Sequence, residues 1–220
     1  IDFWVDAWEK GRIPFHRNDV HPDLITFWPG LEIRPKSTIL VPLCGKSRDM
    51  IWFLQQNYQV VGIELSEQAV LSFFQEQQML FTVEIYPSAK KYCANSLSIW
   101  VGDIFSLQDE LIPLVDAIYD RAALVALPQQ LRPAYVRLCL NWLRPGGSIF
   151  LKSLSYTMNA IQGPPYSVSA AEVMQLYSAN AMVHCVQRDE EHVTTLSQND
   201  EVCLPVEQYV WTIIKNETKS

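Results

Sequence analysis

What this 220-residue sequence lacks narrows its function before any motif is read. It holds no apolar run of 18 residues, so no segment reads as a membrane span. It has no basic surplus: 24 Asp and Glu against 17 Lys and Arg leave a formal charge of −7. A protein that grips a nucleic-acid backbone normally carries the opposite balance, so the partner expected is a small molecule or a protein. No Cys-x-x-Cys pair occurs, and the five cysteines (Cys44, Cys93, Cys139, Cys185, Cys203) are odd in number and widely spaced. They read as reduced core thiols of a cytoplasmic protein rather than as a disulfide frame or a zinc site. The histidines His16, His21, His184 and His192 show no metal-ligand spacing, and neither a Gly-x-Ser-x-Gly elbow nor a catalytic-cysteine signature is present. Hydrolase and metalloenzyme readings lose their footing, and no metal is expected. Ile1 opens the chain without a charged and then apolar leader, so the Asn216-Glu217-Thr218 sequon reads as an accident of composition.

What is present is the composition of an ordinary globular chain, 49% apolar and 19% charged. A chain of this length buries roughly 70% of its unfolded surface. No repeat, low-complexity segment or linker divides it, so one domain over residues 1–220 is expected. Seven β-rich runs stand out: Thr38 to Pro42, Gln59 to Glu64, Leu97 to Val101, Asp116 to Tyr119, Ser148 to Leu154, Val183 to Arg188 and Glu207 to Ile214. Helical spacing fills most of the intervals. Ala69, Val70, Phe73 and Phe74 share a face behind Ser66, and Leu131, Tyr135, Leu138 and Trp142 repeat the pattern before the Pro145-Gly146-Gly147 turn. Ser169-Ala170-Ala171-Glu172 has capping-box spacing ahead of Val173, Leu176 and Tyr177. Alternating strands and helices predict a three-layer α/β fold with a mostly parallel, seven-stranded sheet, its last two strands pairing as an antiparallel edge. Ligands of such sheets sit beyond the carboxyl ends of the strands, here just after Pro42, Glu64, Val101 and Tyr119.

The turn Leu43-Cys44-Gly45-Lys46-Ser47 suggests a phosphate loop, but the glycine that motif needs five residues before Gly45 is Leu40. A dinucleotide fingerprint fails as well, with one of three glycines present. There remains either a turn whose Gly45 lets a ligand approach the backbone or a plain structural turn. Glu64 ends a buried run about twenty residues on, the offset at which a carboxylate accepts from ribose hydroxyls. A ribose-binding acid beside a turn without phosphate chemistry points to S-adenosylmethionine. Asp103 can accept from an adenine amino group while Ile104 packs on the ring, or Asp103 is an N-cap. Asp120 and Arg121 follow another buried run and either pair structurally or act on a ligand. Trp4 and Trp8 lie four apart on one helical face before Gly11, an aromatic lid over residues 1–30 that packs on the core or closes on a flat ligand. Gly163-Pro164-Pro165-Tyr166 is a stiff loop suited to walling a pocket, or only a connection.

With these residues in view the chain resembles the thiopurine S-methyltransferase family along nearly its whole length. The resemblance is carried by Phe15-His16, Val41-Pro42-Leu43-Cys44-Gly45-Lys46-Ser47, Val61-Gly62-Ile63-Glu64-Leu65-Ser66, the run Tyr119-Asp120-Arg121-Ala122-Ala123-Leu124-Val125-Ala126, and Gly163-Pro164-Pro165. It implies a class I methyltransferase (Rossmann-like) fold that uses S-adenosylmethionine, leaves S-adenosylhomocysteine and needs no metal. Carried over by position, it implies that Trp8, Leu43, Glu64 and Arg121 line the cofactor site, that Asp103 and Ile104 contact the adenine, and that Phe15 meets the acceptor. Arg121 and Asp120 are the catalytic candidates. Ala122 stands where some members have glycine and Tyr166 where others have phenylalanine. The implied protein is a monomer acting on a small-molecule thiol or chalcogen, with no nucleic-acid or membrane partner. Selenium or tellurium compounds, or other small thiols, are the alternative acceptors, and a non-catalytic S-adenosylmethionine-binding protein is the alternative class.

Overall fold

The computed structural model describes residues 2–13, 16–157, 163–197 and 200–217. Its chain divides into two compact units, residues 1–118 and 119–220.

The first unit runs α1 (Asp2–Glu9), α2 (Pro22–Phe27), β1 (Thr38–Pro42), α3 (Asp49–Gln55), β2 (Gln59–Glu64), α4 (Glu67–Glu76), β3 (Thr82–Ile85), β4 (Lys90–Ala94), β5 (Leu97–Val101) and β6 (Val115–Asp120), whose last two residues fall in the second unit. β1 and β2 are apolar and buried almost throughout, as strands covered on both faces must be. They pair in parallel, β2 with β5 and β1 with β6 likewise. The spatial order is β3-β4-β5-β2-β1-β6, with β3 and β4 added to β5 as an antiparallel meander. Register then sets the carboxyl ends level: Pro42 lies opposite Ile63, and Glu64 opposite Val101.

Ser66 caps α4 by accepting from the Ala69 N–H at 3.3 Å, and the expected face of Ala69, Val70, Phe73 and Phe74 is buried. Each such phenylalanine contributes about 1.5–3 kcal/mol by leaving water. That burial fixes α4 against the sheet and so aims its N-terminus at the end of β2.

The second unit holds α5 (Ala123–Ala126), α6 (Arg132–Trp142), β7 (Leu143–Ser155), α7 (Ala170–Tyr177), β8 (Ala181–Ser197) and β9 (Asp200–Lys215). β9 pairs antiparallel with both β7 and β8, so the expected terminal hairpin is present and much longer than its two apolar runs. The stripe that α6 buries differs from the one expected. Tyr135, Val136, Cys139 and Trp142 face inward, with Leu138 partly covered and Leu131 exposed, because Arg132 takes an inward position of its own. The Pro145-Gly146-Gly147 turn is drawn into the start of β7, where Gly146 adopts φ 72°.

The described residues thus form nine strands where seven were expected. β3 and β4 escaped notice because all four residues of β3 are exposed and β4 opens with Lys90 and Lys91, which breaks the apolar signal. In the first unit the pairing among β1, β2, β5 and β6 is parallel and that of β3 and β4 antiparallel, and in the second unit β9 pairs antiparallel with β7 and β8.

Candidate functional site

In the first unit the loop after β1 turns sharply, with Leu43 at φ 47° and Gly45 at φ 52°. Two residues, Glu64 and Trp8, hold it. Glu64 accepts the Gly45 N–H on Oε2 at 2.7 Å and the Ser66 N–H on Oε1 at 2.8 Å, so one carboxylate joins the first turn to the cap of α4. Trp8 of α1, itself buried, lies so close that a Cβ on Gly45 would meet its Cζ2 at 3.0 Å. Gly45 is therefore dictated both by its left-handed backbone and by an indole of the chain itself. Gly62 has a similar cause: a Cβ there would stand 2.8 Å from Cys44 Sγ.

Glu64 is buried, which pushes its carboxyl above the ordinary value near 4.5 against the lowering effect of the N–H groups of Ser66, Gly45 and Leu65. A carboxylate offers about four acceptor positions, and the bonds to Gly45 and Ser66, with the Leu65 N–H beside them, do not exhaust them. The neighbouring Lys46 is spoken for: its Nζ lies 2.6 Å from Glu76 of α4. Ser47 Oγ accepts from the Asp49 N–H at 3.2 Å as α3 begins. Lys46 and Ser47 thus tie the turn to the end of α4 and to the start of α3.

Gly102 continues the row by donating its N–H to Glu64 O at 2.9 Å. Asp103 next to it is partly buried, and its side chain accepts the Phe105 N–H at 3.1 Å and the Ser106 hydroxyl at 3.3 Å. It closes a local turn in the manner of a cap, although no α-helix follows. Ile104 is buried. Trp8, Leu43 and Glu64 are thus brought to one turn, and Asp103 and Ile104 follow β5, whose last residue pairs with Glu64. Phe15 lies outside the described residues.

In the second unit Asp120 is 1% exposed. Its Oδ1 accepts the N–H groups of Ala123 (3.0 Å) and Leu124 (3.2 Å), and its Oδ2 accepts the Tyr135 hydroxyl at 2.6 Å. Burial outweighs these bonds and pushes its carboxyl from 3.8 up to about 6. Arg121 stands half-buried in the bend that Asp120 closes. The Gly163 loop is tied down at several points: Tyr166 donates its N–H to Val125 O (2.7 Å), and Tyr156 donates its hydroxyl to Pro165 O (2.7 Å).

Two further residues, Arg132 and Tyr135, order this region without a signal of their own in the sequence. Arg132, 2% exposed, donates through Nε to Leu127 O (3.0 Å) and through Nη1 to Ser167 O (3.1 Å), and its Nη1 also meets both oxygens of Glu172 at 2.7 and 2.8 Å. It links the segment after α5 to the Gly163 loop and to α7. A cation three residues before an apolar face resembles any surface charge, and the capping-box spacing of Glu172 already accounts for that residue. The ring of Tyr135 belongs to the apolar face of α6, whereas its hydroxyl is what Asp120 uses.

Comparison with known proteins adds relationship to this geometry. Residues 1–216 match the family model described as thiopurine S-methyltransferase. A thiopurine S-methyltransferase of Legionella pneumophila (strain Paris) is 49% identical over 219 residues, covering 97% of each chain. Among solved structures, a Burkholderia thailandensis 1,6-didemethyltoxoflavin-N1-methyltransferase with bound S-adenosylhomocysteine has a TM-score of 0.62 at 16% identity, covering 98% of this chain and 87% of its own. A Synechocystis magnesium protoporphyrin IX methyltransferase, also with bound S-adenosylhomocysteine, has a TM-score of 0.64 at 13% identity, covering 98% and 97%. At such identities the likeness carries the fold alone: the α/β fold of S-adenosylmethionine-dependent methyltransferases.

Proposed function

The chain belongs to the thiopurine S-methyltransferase family, and from that membership we propose that it transfers the methyl group of S-adenosylmethionine to the sulfur of thiopurines and related aromatic or heterocyclic thiols. The observation that carries the cofactor assignment is Glu64: a buried carboxylate at a strand end, with acceptor positions left, beside a turn whose only lysine is paired with Glu76. A buried acceptor beside a paired lysine suits a nucleoside with a free ribose diol and no phosphate.

In this reading Glu64 accepts from the two ribose hydroxyls, Asp103 from the adenine amino group, and Ile104 packs on the adenine, while Trp8 and Leu43 wall the site. S-adenosylmethionine supplies a methyl already activated on a sulfonium. The residues therefore have to align the acceptor and exclude water, and no strong base is needed. Arg121 steadies the negative charge on the acceptor sulfur and also touches the cofactor. Asp120, its carboxyl pushed up to about 6, relays a proton through water. Phe15 meets the acceptor ring. The reading treats residues 1–220 as one methyltransferase domain with residues 1–30 as its lid, monomeric and cytoplasmic. Of the described cysteines, Cys44 and Cys139 are buried as expected, whereas Cys93 is half-buried and Cys185 exposed.

The test is incubation with methyl-labelled S-adenosylmethionine and 6-mercaptopurine, run beside selenium and tellurium compounds and small aliphatic thiols. Label on the thiopurine sulfur supports the proposal. Label confined to the other acceptors overturns the thiopurine assignment, and cofactor binding without transfer to any of them overturns the enzyme.

A further inference from the structure

Behind Asp120 lies a buried polar cluster to which the proposed roles give no task. Tyr135 and Cys139 come from α6 and Tyr177 from α7, and all three are at most 1% exposed. Burial beside the Asp120 charge pushes each of them up, so they stay neutral through the physiological range. Asp120 is the acid of this cluster, its carboxyl pushed up to about 6 by burial, and its immediate chain neighbour is Arg121.

The two oxygens of Asp120 do different work. Oδ1 takes two successive backbone N–H groups, Ala123 and Leu124, and so closes the bend that contains Arg121 and Ala122. The cap position of the four-residue α5 is Ala122, which has no side-chain acceptor to offer, so the helix start depends on Asp120. Oδ2 faces the other way and receives the Tyr135 hydroxyl. A carboxylate anchored on Oδ1 alone keeps some freedom to turn about its Cβ–Cγ bond, and the second anchor on Oδ2 removes it.

We propose that Tyr135 is a positioning residue for methyl transfer: its hydroxyl, donated to Asp120 Oδ2 at 2.6 Å, fixes the carboxylate that shapes the Arg121 bend. The role rests on the reading of Asp120 and Arg121 given above. It makes Tyr135 a determinant of how the rate depends on pH, since the hydroxyl stabilises the charged form of Asp120 and opposes its burial.

The experiment compares the full-length wild type with Tyr135→Phe from pH 5 to 9. It measures kcat and KM for S-adenosylmethionine and 6-mercaptopurine, together with the titration of Asp120 by carbon-13 NMR of labelled aspartate, assigned with Asp120→Asn. The acceptor's own ionisation is common to both proteins and cancels in their ratio. The acid limb of kcat should move up by about one pH unit, and the Asp120 titration should move with it. Turnover should fall several-fold at pH 6 and recover at pH 9, with KM for the cofactor unchanged. A loss of equal size at every pH, or an Asp120 titration that does not move, overturns the proposal. If the wild type methylates no thiopurine, the functional reading fails by itself, and the titration still decides whether Tyr135 governs Asp120. If Tyr135→Phe does not fold, 3-fluorotyrosine at position 135 replaces it: a more acidic donor should shift the limb downward, and an unshifted limb overturns the proposal.

Discussion

Replacing Asp120 by asparagine should make the protein more stable at neutral pH while impairing its reaction. The asparagine carbonyl can accept both N–H groups of the Asp120 cap, and its amide can donate to Tyr135, whose hydroxyl then accepts. What disappears is a buried charge. With its carboxyl raised from 3.8 to about 6, Asp120 favours the folded state fully below about pH 3.8, and that contribution is lost as pH rises through about 6. A displacement of this size corresponds to about 3 kcal/mol. The asparagine variant carries no such slope. The stability difference between the two proteins should therefore be small near pH 4 and grow by about 3 kcal/mol in favour of the variant by pH 7. For a chain of this length that amounts to a rise in Tm of roughly 6–12 °C. Urea unfolding at half-unit pH steps measures it. A difference that stays flat between pH 4 and 7, or a variant less stable at pH 7, refutes the reasoning by showing that the three hydrogen bonds outweigh burial.

Arg121→Ala should lower kcat with 6-mercaptopurine by an order of magnitude or more, and unchanged turnover would remove Arg121 from the reaction. Glu64→Ala takes the acceptor away from the N–H groups of Gly45 and Ser66 as well as from the ribose, so isothermal calorimetry should find S-adenosylmethionine bound at least tenfold more weakly. Equal affinity would count against the ribose contact. Glu172→Ala leaves the Arg132 guanidinium buried without its counter-charge and should cost about 3–5 kcal/mol in chemical denaturation. A loss under 1 kcal/mol would mean that the carbonyls of Leu127 and Ser167 satisfy Arg132 unaided.

Legibility in the sequence followed burial. β1, β2 and β5 have the bounds their apolar runs suggested, since strands covered on both faces are rich in Val, Ile and Leu. β3, exposed at every position, carries no such pattern. Within the candidate site, Glu64 could be singled out by its place at the end of β2, as could Asp120 and Arg121 after Tyr119. Their partners could not. Gly45 donates to Glu64 across 19 positions, and Asp120 receives a hydroxyl from 15 positions further on, on a residue whose ring already accounts for it as core. Composition and period describe what faces inward; they do not say which buried oxygen meets which buried hydrogen.

The indole of Trp8 over Gly45 bears on how substitutions combine. Alanine at position 45 brings a methyl to 3.0 Å from that ring at a backbone angle L-residues avoid, whereas leucine at position 8 vacates the space the methyl needs. The two changes together should disturb the protein less than their separate effects add up to, the shortfall being the steric part and the remainder the backbone part. Positions 8 and 45, set 37 residues apart in the chain, are therefore a single variable, and the size permitted at either one is legible only when the other is specified.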